Sequence, residues 1–165
     1  AEAEQQAAGT LDPNLIALRN AMFGQFTFDS QYFVASDAMI RAGAPAQAAQ
    51  VMLGGVRKVP GDGALWAWFG LVLSQKDGNQ VSPAARFALE RGVALWPEHP
   101  GPRFLYGLTL VRAGEWAQAR PHWARAVELT PATAGYREEL VLRLTLLEQL
   151  LAAKEAEPSV PPRAR

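Results

Sequence analysis

Apolar residues recur along most of this chain at intervals of three and four, the spacing that lines one face of an α-helix. Leu15, Ile16, Leu18 and Met22 make the first such face. Asp12 and Pro13 stand just before it, a capping side chain followed by a residue whose missing N–H costs nothing in a first helical turn. This predicts a short helix ending near Met22. Gly24 then interrupts an aromatic stretch, Phe23 to Phe28. From Tyr32 to Pro131 the helical stretches come in pairs separated by glycine, proline or short polar turns. After Pro131 the positions Leu140, Leu144, Leu147 and Leu151 keep helical spacing, with Val141 and Leu142 on flanking stripes, which predicts one long helix over residues 134–154.

The paired stretches resemble the tetratricopeptide repeat, a helix–turn–helix unit of about 34 residues with an aromatic–Leu–Gly–Tyr block, a small residue, a second large residue and a closing proline. The first copy carries Tyr32, Ala35, Ser36, Met39, Gly43, Ala48, Met52 and Pro60. The second carries Trp66, Phe69, Gly70, Leu73, Ala85, Leu89, Gly92 and Pro97. The third carries Arg103, Tyr106, Gly107, Leu110, Gly114, Ala119, Trp123, Ala126 and Pro131. Ala85 to Ala119, Leu89 to Trp123 and Pro97 to Pro131 each span the family's period. The resemblance implies an all-α, tetratricopeptide-like solenoid: an N-terminal segment with a short helix over residues 1–28, three repeats over 29–133, a capping helix over 134–154 and a disordered tail over 155–165.

The spacing has a physical cause. Small residues in the first helix (Ser36, Gly70, Gly107) let the second helix approach at its own small residue (Ala48, Ala85, Ala119). Met52, Leu89 and Trp123 fill the gap to the next unit, and proline closes each unit because it cannot continue a helix. One repeat cannot bury its own apolar face, so several must stack. Two departures stand out. Three extra residues separate the halves of the middle repeat, within "KDGNQVSP" at Lys76 to Pro83, and Pro121 lies inside a predicted helix, where it should weaken a hydrogen bond or bend the axis.

Composition narrows what such a stack can do. Sixteen basic residues balance sixteen acidic ones, so the chain lacks the basic excess of a nucleic-acid or anionic-membrane binder. There is no cysteine for a disulfide, a thiolate nucleophile or a zinc–cysteine site. The longest apolar run, Ala64 to Leu73, is too short to cross a bilayer, which needs about 20 residues. "LGG" at Leu53 to Gly55 lacks the Lys-Ser/Thr of a phosphate loop. His99, in a turn among prolines, and His122, in a helix, have no ligand partner one turn away, and a surface histidine accounts for each. Glu138 and Glu139 are adjacent and point to different faces; they suit the positive end of the last helix. The expectation is a protein with no catalytic residue, no metal, no cofactor and no small-molecule substrate.

What remains is a surface. In tetratricopeptide stacks the first helices line a concave groove, and the family geometry assigns to it Phe33, Asp37, Ile40 and Arg41, then Ala67, Leu71 and Ser74, then Phe104, Leu108, Val111 and Arg112, with Leu142 from the cap. This mostly apolar set suits the apolar face of a helical peptide. The alternative is that neighbouring helices, the N-terminal segment among them, cover part of it, since exposed apolar patches need a reason.

A second resemblance is narrower. The lengthened turn "GNQVSPAA", the "P-x-x-P-x-x-R-F-L-x-G" stretch from Pro97 to Gly107 and the "G-E-W…A-x-x-x-W" helix from Gly114 to Trp123 are similar to the periplasmic repeat domain of CycH-type cytochrome c biogenesis proteins. That resemblance implies a periplasmic soluble domain of a membrane-anchored protein. Its groove would capture the C-terminal helix of apocytochrome c and pass it to the haem ligation machinery. The rival expectation is a scaffold bridging subunits of another envelope or cytosolic complex, dimerising through the leucine-rich capping helix. Against an enzyme stands the lack of a polar constellation.

Overall fold

The computed structural model describes residues 11–157, and within them all regular structure is α-helical. The helices are α1 (Pro13–Phe23), α2 (Ser30–Arg41), α3 (Pro45–Lys58), α4 (Gly63–Lys76), α5 (Pro83–Leu95), α6 (Pro100–Arg112), α7 (Trp116–Leu129) and α8 (Arg137–Ala156). Three antiparallel hairpins, α2/α3, α4/α5 and α6/α7, stack in sequence. Each second helix also packs on the first helix of the next unit, and the first helices touch one another, α2 on α4 and α4 on α6. The first helices therefore form one continuous inner wall, and α8 closes the stack against α7. This is the tetratricopeptide-like solenoid that the repeat spacing implies.

Local chemistry sets the helix limits. Asp12, Asp62 and Ser82 cap α1, α4 and α5 through side-chain oxygens that accept from the N–H groups of Asn14, Leu65 and Ala85, at 2.9, 3.0 and 3.2 Å. Two hairpin turns are alike. Gly43 and Gly114 sit at φ 73° and 78°, and the N–H groups of Ala44 and Glu115 reach back to the carbonyls of Met39 and Leu110, both at 2.9 Å. That left-handed glycine ends the helix and satisfies its last carbonyls at once. The longer middle turn does the same work with Gly78 and Asn79, both at positive φ. Pro121 is exposed and α7 runs through it.

Close approach is the feature that builds the core. A Cβ on Gly70 would lie 2.5 Å from Leu89 Cγ, and one on Gly107 would overlap the Trp123 indole. A Cβ on Gly92 would meet backbone, 2.8 Å from the Gly63 oxygen and 2.9 Å from the Ala67 nitrogen. The first repeat uses Ser36 in the equivalent slot. Its hydroxyl donates to the Phe33 carbonyl at 3.0 Å and accepts from the indole N–H of Trp68 at 3.2 Å. The small slot of the first repeat thus meets the largest side chain of the second, whereas Gly70 and Gly107 face the second helix of their own repeats.

Two expectations change. Trp66, which stands in the repeat's opening aromatic slot, a core position of the family, is half-exposed, with its indole N–H donating to the Pro60 carbonyl at 2.9 Å. Trp68, two positions on and so on another helix face, is the fully buried one. The last helix is Arg137–Ala156 rather than 134–154. Gly135, a poor helix former, delays its start, and Glu155 and Ala156 continue it until Glu157, which turns extended ahead of Pro158 as a residue before proline does. The part of the expected N-terminal segment before Leu11 and the tail from Pro158 onward lie outside the described residues.

These contacts separate two glycine substitutions in neighbouring repeats. Gly92→Ala pushes a methyl into the backbone of α4 and should destabilise the fold by about 1–3 kcal/mol. Gly54, in α3, faces open space, so Gly54→Ala should instead raise stability by about 0.5–1 kcal/mol through helix propensity. Urea unfolding midpoints of the two variants should move in opposite directions.

Candidate functional site

The inner wall carries the residues that the family geometry assigns to the groove, and most of them are covered. Phe33, Asp37 and Ile40 on α2, Ala67, Leu71 and Ser74 on α4, and Phe104 and Leu108 on α6 are buried. Val111 and Arg112 at the end of α6 are half-buried. Arg41, at the end of α2, is exposed. Leu142 is 57 % exposed on α8 and does not join the others. Not all of this burial is on the wall side: Ala67 faces Gly92 of α5, and the Phe104 ring stacks on Trp123 of α7 at 5.9 Å, so in this structure the assigned residues do not present an open groove.

The cover is α1. Leu15, Leu18 and Met22 on its apolar face are buried, and it contacts all three first helices of the stack. Arg19, the sole charged residue of α1, points inward with those apolar side chains. Its guanidinium grips the Asp37 carboxylate of α2 with two bonds, 2.9 and 2.6 Å, and both side chains are nearly fully buried. The same guanidinium lies 4.8 Å from the centre of the Phe33 ring and 4.3 Å from that of Trp68 on α4. A forked cation thus pairs with a carboxylate between two aromatic faces, an arrangement that suits arginine and not lysine. Arg19 Nε is buried with no hydrogen-bond partner among the described residues. Buried pairs of this kind set geometry more than stability, because desolvation cancels much of their attraction. Removing one partner alone costs about 3–5 kcal/mol.

The ends of α1 are held differently. Phe23 stacks on Phe33 at 6.3 Å and on His99 at 5.2 Å, and its ring edge sits against Gly101, where no side chain would fit. Beyond it the link to α2 is exposed and bent, with Gly24 at φ 86° and Phe26 at φ 60°. A bulky residue rarely adopts that second conformation, which costs on the order of 1–3 kcal/mol. Between α1 and the start of α8 lies an open cleft lined by Asn14, Ala17, Leu18, Ala21, Tyr136 and Glu139.

Past the far end of α6 a smaller apolar pocket of about 240 Å³ opens between Val111, Trp116, Trp123, Leu146 and Leu150. Leu142, Leu146 and Leu150 leave an exposed apolar stripe along α8. Arg143 lies over the Phe104 ring at 5.5 Å. Burial holds Arg112 below the usual guanidinium range, with the Arg143 charge adding to the effect and Asp12 at the start of α1 opposing it.

Both histidines are built into the stack rather than free at its surface. His99 Nδ1 accepts from the Gly101 N–H at 2.9 Å and so caps α6, while its ring stacks on Phe23 of α1 at 5.2 Å. His122 packs 4.0 Å from the Tyr106 ring and receives the Arg103 guanidinium on Nδ1 at 3.3 Å. Arginine can only donate, so that nitrogen is unprotonated. Nearby, the Tyr106 hydroxyl donates to Glu90 at 3.2 Å, and Arg86 spans Tyr106 and Glu115. No group of three or more metal-binding side chains occurs among the described residues, and no helix there is long and apolar enough to cross a membrane.

Sequence reasoning missed Arg19 and Trp68. Each had a signal: one charge on an otherwise apolar helix face, and an indole in the most hydrophobic helix of the chain.

No protein-family model matches the chain, and no curated protein matches it. Among solved structures the fold is similar to that of SycD, the type III secretion translocator chaperone of Yersinia enterocolitica. The TM-score is 0.61 at 18 % sequence identity, and the match covers 89 % of this chain and 98 % of SycD. At that identity the likeness establishes the helical stack.

The half-buried His122 makes stability depend on pH in a definite direction. Burial, then the Arg103 and Arg86 charges, push the His122 pKa down to about 4. An unfolded chain takes up that proton near pH 6.5. Between those values the unfolded state binds more protons, so the contribution is fully present above about pH 6.5 and is lost as pH falls toward 4. His122→Gln should lose less stability than the parent between pH 7 and pH 4.5, read as the shift in urea midpoint; parallel profiles would contradict this.

Proposed function

We propose that this chain is a non-catalytic module that captures an amphipathic helix of a partner protein along its inner wall. The observation that carries the reading is the seating of α1. The wall formed by α2, α4 and α6 already accepts a helix, apolar face inward, with Leu15, Leu18 and Met22 as anchors. That is the helix-in-groove mode of recognition. The likeness to SycD, a translocator chaperone, supports a protein partner for a stack of this shape. Each buried anchor of a ligand helix would contribute about 1.5–3 kcal/mol. After the costs of association and of ordering the ligand, micromolar affinity is the expected scale.

Within this reading the partner is the C-terminal helix of apocytochrome c, passed on to the haem ligation machinery in the periplasm. Its support is the sequence resemblance between Ala64 and Pro131. A second reading, a scaffold that bridges subunits of another envelope or cytosolic complex, is favoured by the exposed stripe of Leu142, Leu146 and Leu150 on α8.

Titration calorimetry with two synthetic peptides tests the proposal on the full chain. One is the C-terminal helix of an apocytochrome c; the other is an unrelated amphipathic helix of equal length and charge. Binding of the first in the micromolar range, at least tenfold tighter than the second, is the expected result. Equal affinities would remove the cytochrome partner and keep helix capture. Absence of binding by either, alongside self-association that Leu146→Glu abolishes in light scattering, would move the function to the scaffold reading.

A further inference from the structure

From the way α1 is held, we infer that it is a displaceable internal occupant of the inner wall, and that the partner helix presents an arginine to Asp37 in place of Arg19. The inference rests on the helix-capture reading and adds the chemistry that selects the ligand.

The geometry carries it in three steps. First, α1 lies where a groove ligand would lie and belongs to neither a hairpin nor the repeat stack. It contacts the first helices from the open side of the wall, and its link to α2 is an exposed, bent segment with Phe26 in a left-handed conformation. Second, the wall holds one buried carboxylate at the covered interface, Asp37, flanked by the Phe33 and Trp68 rings. An uncovered Asp37 would sit in an apolar recess, where an incoming helix without a cation would leave it desolvated and unpaired. Charge complementarity therefore selects a helix with a guanidinium in the middle of its apolar face. Third, α1 spells out the pattern the wall accepts. Leu15, Leu18, Arg19 and Met22 are its inward residues, which gives Leu-x-x-Leu-Arg-x-x-Met, one apolar stripe with arginine inside it.

The linkage also explains how such an occupant regulates capture. A helix tied by a short link competes at an effective concentration of millimolar order. Only a ligand that fits better than α1, or one supplied at high local concentration, would displace it. Loss of the Arg19–Asp37 pair should open the wall.

The test uses the full chain and a fluorescein-labelled synthetic peptide of residues 11–24, read by fluorescence anisotropy. The chain carrying Arg19→Ala should bind this peptide at least tenfold more tightly than the parent chain does. The same peptide with its arginine replaced by alanine should bind that variant at least tenfold more weakly. Adding Asp37→Asn to the chain should erase the difference between the two peptides. Native-state hydrogen exchange on the parent chain keeps the inference testable if the variants fold poorly. There the α1 amides should exchange faster than those of α4 and α5, and excess peptide should accelerate α1 alone. Exchange of α1 only together with α4 and α5 would overturn the inference. Equal binding of the arginine-free peptide would overturn it while leaving helix capture standing. Opening of α1 with no binding by any helical peptide would overturn helix capture itself.

Discussion

Close contact between helix backbones at small residues is the constraint from which the rest of the structure follows. Gly92 approaches the backbone of α4 at Gly63 and Ala67, and Gly70 and Gly107 have no room for even a methyl group beside Leu89 and Trp123. Helices this close can be held only by interdigitating side chains, and the large residues one turn away fill the remaining space to interior density. The angle between the two helices of a unit then repeats, and the first helices come into line. The inner wall is a consequence of that repetition. It was not built residue by residue, which is why a chain 18 % identical can stack in the same way.

The hairpin interior was legible in the sequence because its demands recur. A small residue, a large one and a proline returning at a fixed interval mean the same thing wherever they appear, and Ser82 before Pro83 marks a helix start without reference to its surroundings. The wall's occupancy was not legible in this way. Whether Phe33, Leu71 and Phe104 face a ligand or a segment of the same chain depends on a long-range contact that no local periodicity encodes. The face of α1 pointed to burial but not to where. Only Arg19 hinted at an address, since a cation among leucines needs a buried acid, and Asp37 is the sole acidic residue on α2, α4 and α6. The histidines were misplaced at the surface for a related reason: their partners, Gly101 apart, come from other elements, Phe23 for one and Tyr106 with Arg103 for the other.

Covering the wall also settles a physical difficulty that an open groove would raise. Phe33 and the other apolar groups beneath Leu15, Leu18 and Met22 would make an apolar patch of the kind that monomers seldom leave in water. With α1 in place that patch is buried, and the largest exposed apolar groups are moved to the edges: Phe26 and Phe28 on the link, Phe87 on α5, and the leucines of α8. A module that must hold an oily ligand while avoiding aggregation between ligands benefits from such a cover. The α8 stripe has no cover among the described residues, which sets it apart from the wall in kind: one apolar surface is guarded and the other is not.

Asp37 is the residue that stability alone explains least. A leucine at that position facing a leucine at Arg19 would bury more apolar surface and pay no desolvation, and such replacements of buried pairs are commonly neutral or stabilising. The tetratricopeptide-like stack would lose nothing by them, since neither residue touches the close-packed glycine positions of the hairpins. On the helix-capture proposal, what the pair supplies is selectivity. It fixes which helix lies on the wall, in which direction and in which register, because a one-turn slip of α1 would carry Arg19 about 5.4 Å along the axis and strand both charges away from water. A wall that needed only to be covered would have no use for so exacting a contact. A wall that must distinguish one helix from another has an evident use for it.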